Sequence, residues 1–304
     1  MEVFRIQNDP GGQPVATDPK NSSLEKTAIE LPEKPLVVIR SRSSWPSLDL
    51  HELWDYRDLL FILIERDIKV RYKQTVLGVA WAVIQPLFAM LIFAFLFGRL
   101  ANIPSDGIPY PIFAYAGLLP WVFFSNAVTS SGTSLISSTN LITKVYFPRM
   151  IIPIAVVLAG IVDFLIAFGL FIFLKFYYKV ALSPNIIIFP LLLILTTMTA
   201  IGIGLWTSAL TVKYRDVRHV LPFAIQLLMF ATPIIYPSSL VPDKWRWLLL
   251  INPLSAQIEG YRSAFFNRSF DWLGLIISGL ITIMILCGAA YNFRRMEKSF
   301  ADVI

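Results

Sequence analysis

The feature that most constrains this chain is a succession of six apolar segments, each near the length that an α-helix needs to cross a lipid bilayer. A helix satisfies its own backbone hydrogen bonds, which is why such segments cross hydrocarbon as helices. The predicted spans are 76–98, 110–127, 150–174, 186–210, 220–236 and 272–293. Composition agrees, because only 15% of the residues are charged, against about one quarter in soluble domains. The sequence therefore predicts an all-α polytopic membrane protein.

The distribution of Lys and Arg predicts the orientation of these spans. An even number of spans places both termini on one side, and the segments on that side carry more cations than those on the other. By the positive-inside rule, both termini are expected in the cytoplasm, with the chain in the cytoplasmic (inner) membrane. The net charge of +6 is thereby assigned to topology and lipid headgroups, and no nucleic-acid partner is predicted.

Three segments outside the spans have their own character. Residues 1–46 are polar and rich in Pro and Gly, which predicts a flexible N-terminal tail. Residues 47–75 are predicted to form an amphipathic cytoplasmic interface helix, because apolar residues recur there at helical spacing. Those apolar residues are Leu53, Tyr56, Leu60, Leu63, Ile64 and Ile68. Residues 299–304 are predicted as a short cytoplasmic C-terminus.

The segment 237–271, between the fifth and sixth spans, is too polar to cross a bilayer. It nevertheless carries apolar and aromatic residues at helical spacing on both sides of Asn252 and Pro253. This pattern predicts two short helices that form a re-entrant or surface-lying hairpin on the outer side.

The residues that most enzymes need are sparse. The 304 residues contain no G-x-x-x-x-G-K-[ST] motif, so no nucleotide site of the Walker type is predicted. A single cysteine, Cys287, lies in an apolar run, and the two histidines, His51 and His219, are far apart. Catalytic, cofactor-binding and metal-ligating residues are therefore all predicted to be absent.

Asp163 is the most unexpected residue, because it lies in the middle of the third span. A carboxylate in hydrocarbon costs at least about 2.5–3.5 kcal/mol, so Asp163 must face protein or water. A proton relay is one interpretation, but the other spans have no second mid-span ionisable group to complete it. A structural hydrogen bond or ion pair between helices is the favoured interpretation.

Aromatic and basic residues each allow two interpretations. Aromatics form 14% of the chain and in membrane helices most face lipid, yet rings that line a conduit would stack well on the apolar faces of sugars. The basic segments 66–73 and 213–218 are typical of topology signals and headgroup contacts. They would equally suit an acidic partner surface, and composition leaves both possibilities open.

A resemblance adds to this picture. The stretch RDIKVRYKQTVLGVAWAVIQPL, which starts at Arg66, resembles the start of the membrane subunit of type-2 ABC exporters for polysaccharides, such as O-antigen, capsule and teichoic-acid permeases. Further similar motifs follow in the same order: GLLPWVFFSNAV, NLITKVYFPRMIIPIA leading to VDF, YRDVRHVLPF, ATPIIYP and NPLSAQIEGYR. Together they cover roughly residues 48–298.

The resemblance implies a homodimer of six-helix subunits bound to two copies of a separate P-loop ABC ATPase. ATP and Mg would be bound by that ATPase, so this chain is expected to need no cofactor and to be a transporter subunit rather than an enzyme. The implied substrate is a lipid-linked polysaccharide, as in capsule or lipopolysaccharide O-antigen export, which would pass through a channel at the dimer interface.

The resemblance also implies roles for individual residues. The interface helix and cytoplasmic loops would dock on the ATPase through Arg57, Arg66, Lys69, Arg71, Lys144, Arg149 and Arg215. An aromatic belt near the exit would consist of Phe93 and Phe230, with Phe88, Phe97 and Tyr236 as further candidates. The outer hairpin would contain gate helices, with Trp245, Trp247, Glu259 and Arg262 as gate residues.

Three other functions are weighed beside this one. A type-2 ABC exporter of a drug or lipid would have the same architecture. A secondary transporter or channel would work without an ATPase, and a membrane enzyme of glycan assembly would need catalytic residues. Activity that depends on a partner ATPase and on a glycan distinguishes the polysaccharide exporter from all three.

Overall fold

The structure is a computed structural model that describes residues 50–73 and 78–303. The predicted tail, the beginning of the predicted interface helix and residue 304 lie outside the described residues. Within them, the regular structure consists of helices and helical turns. The helices are α1 (Leu50–Asp55), α2 (Arg57–Lys73), α3 (Gly78–Phe93, continued by a π-helix at Ala94–Leu100), α4 (Tyr110–Ser137), α5 (Thr139–Ile142), α6 (Ile151–Tyr177), α7 (Phe189–Lys213, preceded by a 3-10 turn at Pro184–Ile188), α8 (Val217–Ala231), α9 (Arg246–Ile251), α10 (Pro253–Phe266) and α11 (Trp272–Val303).

Five helical segments of the described chain are long and apolar enough to cross a membrane. They are Val79–Leu100, Tyr110–Ser137, Ile151–Tyr177, Pro184–Lys213 and Trp272–Glu297. These segments confirm the prediction of an all-helical polytopic membrane protein. Helix α8, at Val217–Ala231, is apolar but shorter than the roughly 20 residues that a full crossing needs. The count of six spans therefore stays a prediction.

Helix α4 runs well past Ala127, where the second span was predicted to end, and reaches Ser137. Its last turns are rich in hydroxyl side chains, which lowers their hydropathy and suggests a loop. The hydroxyls bond to the helix itself: Ser134 Oγ donates to the Ser131 carbonyl at 2.7 Å, and Ser137 Oγ to the Ser134 carbonyl at 3.0 Å. Hydroxyls satisfied in this way are compatible with a continuous helix.

Helix α8 ends earlier than the predicted fifth span, at Ala231 instead of residue 236. The reason is Pro233, because a residue before proline is pushed out of the α region, and Thr232 is extended with ψ of 140°. The carbonyls of Pro233 and Ile234 then accept hydrogen bonds from Arg262, each at 2.7 Å. The Arg262 side chain thus satisfies carbonyls of the segment that follows α8.

Helix α4 is the central helix of the bundle, with neighbours α3, α6, α7, α8 and α10. In the most apolar stretch of α4, 78% of the residues are buried, whereas in that of the α3 span only 11% are buried. Large apolar side chains remain exposed on both α3 and α8, among them Phe88 and Phe230. The two helices therefore pack on α4 and present apolar faces outward.

One end of the bundle is formed by α2, residues 139–149 and the last turns of α11, which we call the platform. Helix α2 packs along α6. Its Leu63 is buried in an apolar cluster with Ile142, Phe147 and Phe293 from the other platform elements. This shared core makes the three elements one layer at the end of α4 that contains Ser137.

The other end of the bundle contains residues 237–271, which we call the hairpin. Helices α9 and α10 meet at Asn252, whose Oδ1 caps α10 by accepting the Leu254 N–H at 3.1 Å. Helix α10 ends at Phe266, and the residue after it, Asn267, adopts the left-handed conformation typical of helix C-termini, with φ of 56°. Because α10 packs against α4, α7 and α11, it lies among the spans rather than on their surface. Its depth relative to a bilayer stays a prediction.

Candidate functional site

The charged residues predicted on α2 form local ion pairs at the platform surface. Arg66 Nη2 lies 2.8 Å from Asp67 Oδ1, and Lys69 Nζ lies 2.5 Å from Glu65 Oε1. Arg57 is close to Asp58 at 3.8 Å and lies over the Trp54 ring. Lys69 and Glu65 are both well exposed, and a pair of this kind contributes only about 0–1 kcal/mol, so a partner could displace it at little cost. The side chain of Asp67 is only 17% exposed, so its pair with Arg66 is partly buried. Their docking role stays a prediction.

Two further residues predicted to dock lie between α5 and α6. Lys144 is exposed, whereas Arg149 is bound to the C-terminal helix. The Arg149 backbone N–H donates to Glu297 Oε1 at 3.0 Å, and its Nη1 donates to the Glu297 carbonyl at 2.8 Å. Arg149 therefore braces this loop against α11. Arg215 lies apart, in the connection between α7 and α8.

The platform also exposes apolar residues that sequence reasoning missed. Tyr146 is 82% exposed and Val145 is 54% exposed. Both line a cleft of about 210 Å³ that also includes Lys144 and Arg149. In the sequence these residues precede an apolar span and resemble its beginning. Their exposure follows from the turn structure of residues 143–150, which the hydropathy pattern does not reveal.

A polar cluster joins the platform to the middle of α6. The Arg71 guanidinium forms an ion pair with Asp163, and the Tyr72 hydroxyl donates a hydrogen bond to the same carboxylate. Burial, together with this hydrogen bond, raises the pKa of Tyr72 above its usual range. The structure thus places Asp163 in an inter-helix ion pair, the arrangement favoured from the sequence. Arg71, predicted to dock on a partner, contacts α6, where the carboxylate in the span needs a counter-charge. Its docking role stays a prediction.

The aromatics predicted to line a substrate path fall into two groups. Phe88 on α3 and Phe230 on α8 are exposed, at 59% and 55%. Phe93 and Phe97 are partly buried and contact each other edge to face, with ring centroids 5.6 Å apart. Tyr236 is also partly buried, and its hydroxyl donates to the Phe230 carbonyl at 3.5 Å. Within one copy of the chain, the rings on α3 and those on α8 and after it therefore form two separate groups, on helices that both pack on α4.

Arg262 is the centre of the hairpin. Its side chain is fully buried, and its guanidinium lies 3.8 Å over the Phe113 ring of α4. Besides the carbonyls at the end of α8, it bonds Glu259 Oε1 at 3.1 Å. Burial lowers the pKa of Arg262, and the nearby Glu259 carboxylate opposes that shift. One side chain thus ties α10, α8 and α4 together.

The remaining predicted gate residues surround this centre. Glu259 accepts the Ser238 backbone N–H at 3.2 Å, in addition to its contact with Arg262. Trp245 and Trp247 are half exposed at the other end of the hairpin. Glu259 and Arg262 therefore act as one hydrogen-bonded unit, while the tryptophans lie at the surface. A gating role for all four stays a prediction.

Two anchors of the hairpin had not been identified from the sequence. Lys175, in the last turn of α6, is buried, and its Nζ donates to the Phe265 carbonyl at the end of α10 at 2.6 Å. Gln257 Nε2 donates to Thr199 Oγ1 at 2.9 Å and to Ser278 Oγ at 3.2 Å. These bonds attach α10 to α6, α7 and α11. Each partner lies far away in the sequence, so no local pattern indicates them.

Metal binding has no evident location in residues 50–73 and 78–303. Across that part of the chain, His, Cys, Asp and Glu side chains do not gather in groups of three or more. The expectation that the chain uses no cofactor stays a prediction. What the geometry provides is a bundle with a charged platform at one end, a braced hairpin at the other, and exposed apolar faces between them.

Comparison with known proteins extends this picture. Residues 58–266 match a family model described as ABC-2 type transporter. The chain is 29% identical over 260 residues to the O-antigen export system permease protein RfbA of Myxococcus xanthus, covering 84% of this chain and 98% of that protein. It is 31% identical over 251 residues to an RfbA of Klebsiella pneumoniae, covering 81% and 95%. It is 26% identical over 210 residues to the polysialic acid transport protein KpsM of Escherichia coli, covering 66% and 79%.

Proposed function

Because the chain belongs to the ABC-2 type transporter family, we propose that it is the permease subunit of an ATP-driven exporter that moves a polysaccharide across the cytoplasmic membrane. The observation that carries this proposal is the near full-length match to permeases whose names specify O-antigen export. The more distant polysialic acid transport protein supports the same substrate class. The five long apolar helices agree with a permease that crosses the membrane several times.

A separate ATPase supplies the energy in this proposal. The 304 residues contain no P-loop motif, and an ABC transporter needs two such sites. Two copies of the chain would therefore assemble with two copies of the ATPase, which holds ATP and Mg. The platform is the docking surface, with its exposed cations and with Tyr146 beside the cleft as an apolar anchor.

The platform faces the cytoplasm in this arrangement, and the hairpin faces outward. The cations on α2 and in residues 139–149 support that orientation. Both termini are then cytoplasmic if α8, together with the residues that follow it, completes a sixth crossing. The substrate would be a polysaccharide linked to a lipid, since the chain lies in the membrane that holds such carriers.

The path lies between two copies of the chain. Helices α3 and α8 flank α4 and expose apolar and aromatic side chains, and such faces suit a subunit interface that encloses a conduit. Phe88 and Phe230 would present rings to passing sugars, with Phe93, Phe97 and Tyr236 behind them. A polymer is too long to be enclosed, so passage is processive.

The contacts of α2 suggest how ATP binding reaches the path. Helix α2 carries the docking cations at its surface and is tied to α6 by the ion pair of Arg71 and Asp163. Helix α6 packs on α4, and α4 contacts Arg262 at the hairpin. A displacement of α2 by the ATPase would therefore pass through packed helices to both ends of the path.

The test is to co-express the chain with its partner ATPase, purify the complex in lipid nanodiscs and measure ATP hydrolysis with and without the polysaccharide. Stimulation by the glycan is expected, together with loss of surface polysaccharide in cells that lack the permease. Transport by the chain alone would support a secondary transporter. Stimulation by drugs or lipids but by no glycan would support the other type-2 exporters.

Two sets of variants test the proposed surfaces. Arg66→Glu with Lys69→Glu should weaken ATPase co-purification, whereas Arg246→Glu at the hairpin is the matched control and should not. Phe93→Ala with Phe230→Ala should reduce export while the complex still assembles. Normal export by the second pair would remove both rings from the path.

A further inference from the structure

A cavity of about 740 Å³ lies beside the ion pair of Arg71 and Asp163, between the end of α2, the first half of α3, α4 and α6. Its size is within the usual range of small-molecule sites, roughly 300–1,000 Å³. It does not include the aromatics assigned to the path near the hairpin. It lies in the half of the bundle that is closer to the platform, since Asn126 and Ser130 on its wall are followed by the end of α4 at Ser137.

The wall of the cavity contains polar side chains that are out of place in apolar helices. Gln85 on α3 and Asn126 on α4 are both exposed, although their helices are apolar enough to span a membrane. Neither amide has a hydrogen-bond partner among the described residues. An amide placed in hydrocarbon without a partner costs about 2–7 kcal/mol. The exposure of these two amides therefore favours a cavity that holds water or a polar ligand.

The polar surface continues along α4 toward the platform. Asn126, Ser130, Thr133 and Ser137 follow one another at helical spacing, and so share one face of α4. None of the four is buried. The hydroxyls of Thr133 and Ser137 also bond carbonyls of their own helix, so the stripe is compatible with a water-accessible path without requiring one. It leads from the cavity to the end of the bundle where the ATPase docks in the proposed function.

The rest of the lining narrows the class of ligand. Arg71 and Asp163 are the two charged residues among the described lining, and they neutralise each other. Trp81 is 62% exposed and provides a ring on which an apolar sugar face can stack. Uncharged amides and hydroxyls beside an aromatic ring suit neutral polyhydroxylated molecules. An unpaired phosphate or carboxylate would lack a counter-charge here.

We infer that this cavity is an inner sugar-binding site, where units of the exported glycan contact Gln85, Asn126 and Trp81 before they reach the aromatics near the hairpin. The inference rests on the proposed function and adds a second binding site to it. Because the Arg71 and Tyr72 side chains form part of the wall, a displacement of α2 would reshape the site. Docking of the ATPase would thereby change the affinity of the site for the sugar.

Cysteine labelling tests whether the site holds water and glycan. Cys287, the single cysteine of the chain, is replaced by Ser, and Asn126→Cys is introduced. Tyr146→Cys on the platform is the accessible control, and Met284→Cys, 73% exposed on apolar α11, is the lipid-facing control. A charged thiosulfonate is then applied to inside-out vesicles. Because thiolates form in water, Asn126→Cys should react on the order of tenfold faster than Met284→Cys.

Occupancy is tested in vesicles from cells that make the polysaccharide and from cells blocked in its synthesis. The glycan should slow labelling of Asn126→Cys by about threefold or more, as expected when roughly two thirds or more of the sites are occupied, and leave Tyr146→Cys unchanged. Labelling as slow as that of Met284→Cys would show a dry site and overturn the inference. Equal rates in both vesicle types would also overturn it. Slowing by added phosphatidylglycerol alone would assign the site to lipid.

Export measurements separate this inference from the proposed function. Gln85→Ala with Asn126→Ala should reduce surface polysaccharide several-fold, with normal ATPase co-purification showing that the variant is assembled. Trp81→Ala should reduce it as well, whereas Trp206→Ala, an exposed tryptophan on α7 outside the lining, should not. Normal export by the cavity variants overturns the inner site alone. Failure of the unchanged complex to export any glycan overturns the proposed function.

Discussion

Arg262 at the hairpin and Arg66 on the platform carry the same guanidinium in contrasting surroundings. Arg262 is fully buried, bonds carbonyls of the segment after α8 and lies over Phe113. Arg66 keeps 42% of its side chain exposed and pairs with its neighbour Asp67. A buried cation is expensive to disturb, because its partners cannot turn to water. The half-exposed guanidinium of Arg66 can itself turn to water or to a partner, although Asp67, whose side chain is 17% exposed, would then lose its counter-charge. The hairpin is therefore braced internally, while the platform leaves its charges available for a partner.

The largest expected effect comes from Arg262→Ala, which leaves buried carbonyls of Pro233 and Ile234 without donors. We expect a loss of about 3–5 kcal/mol in the free energy of unfolding, as for other broken buried charge contacts. Thermal unfolding of the purified complex in nanodiscs measures it. Arg246→Ala, whose pair with Asp243 is exposed, is the matched control and should cost at most about 1 kcal/mol. Equal losses in both variants would contradict the comparison.

The next effect is expected at the link between platform and bundle. Asp163→Asn removes the counter-charge of Arg71, a hydrogen-bonded charge contact worth about 1.5–3 kcal/mol. A double-mutant cycle with Arg71→Gln should give a coupling energy of about 1 kcal/mol or more. The exposed pair of Glu65 and Lys69, with i to i+4 spacing, should give about 0.3–0.5 kcal/mol in the same cycle. Equal coupling energies for the two pairs would show that the Arg71–Asp163 contact stabilises the protein no more than an exposed ion pair does.

A smaller effect is expected at the joint of the hairpin. Asn252 caps α10 and its Nδ2 also donates to Thr232 Oγ1 at 2.9 Å. Asn252→Ala should therefore lower the free energy of unfolding by about 0.5–2 kcal/mol. Asn252→Asp keeps the capping oxygen but loses the donor to Thr232, so its loss should be smaller. A greater loss for Asp than for Ala would show that the cap is not the stabilising contact.

The smallest effect on stability is expected at Tyr146, which is 82% exposed. Tyr146→Ala should leave the unfolding temperature of the permease almost unchanged, since surface substitutions usually lie within about 0.5 kcal/mol. Co-purification of the ATPase should nevertheless fall, because an exposed aromatic beside a cleft is typical of a binding anchor. Loss of stability without loss of co-purification would show that Tyr146 stabilises the permease and does not bind the ATPase.

The hydropathy pattern predicted long apolar helices, and two helix ends differ from the predicted span limits for identifiable reasons. Helix α4 continues past residue 127 because Ser134 and Ser137 lower hydropathy while bonding within their own helix. Helix α8 ends before residue 236 because Pro233 breaks the helix without changing hydropathy. Both differences arise because hydropathy measures transfer to lipid, whereas helix ends depend on backbone hydrogen bonds.

Site residues were harder to predict than spans. Asp163 was identified from its cost in hydrocarbon alone, but its partner Arg71 is distant in the sequence and had been assigned to docking. Lys175 was not singled out in the sequence, yet it is buried against the end of α10. The amides of Gln85 and Asn126 were not singled out at all. A single polar residue in a span is conspicuous only when it is charged, because uncharged ones are common there.

The sequence by itself determined whether each segment lies in lipid or in water. Apolar stretches of span length must lie in a bilayer, and cations must flank them. A lone carboxylate within such a stretch must contact a polar or charged partner. These conclusions follow from transfer free energies, which are properties of composition and local order. The partners themselves were decided by the tertiary structure. Which guanidinium reaches Asp163, which carbonyls Arg262 satisfies and which polar faces meet at the cavity depend on helices brought together from distant parts of the chain. Contacts between residues that are distant in the sequence produce no periodic pattern from which they could be predicted.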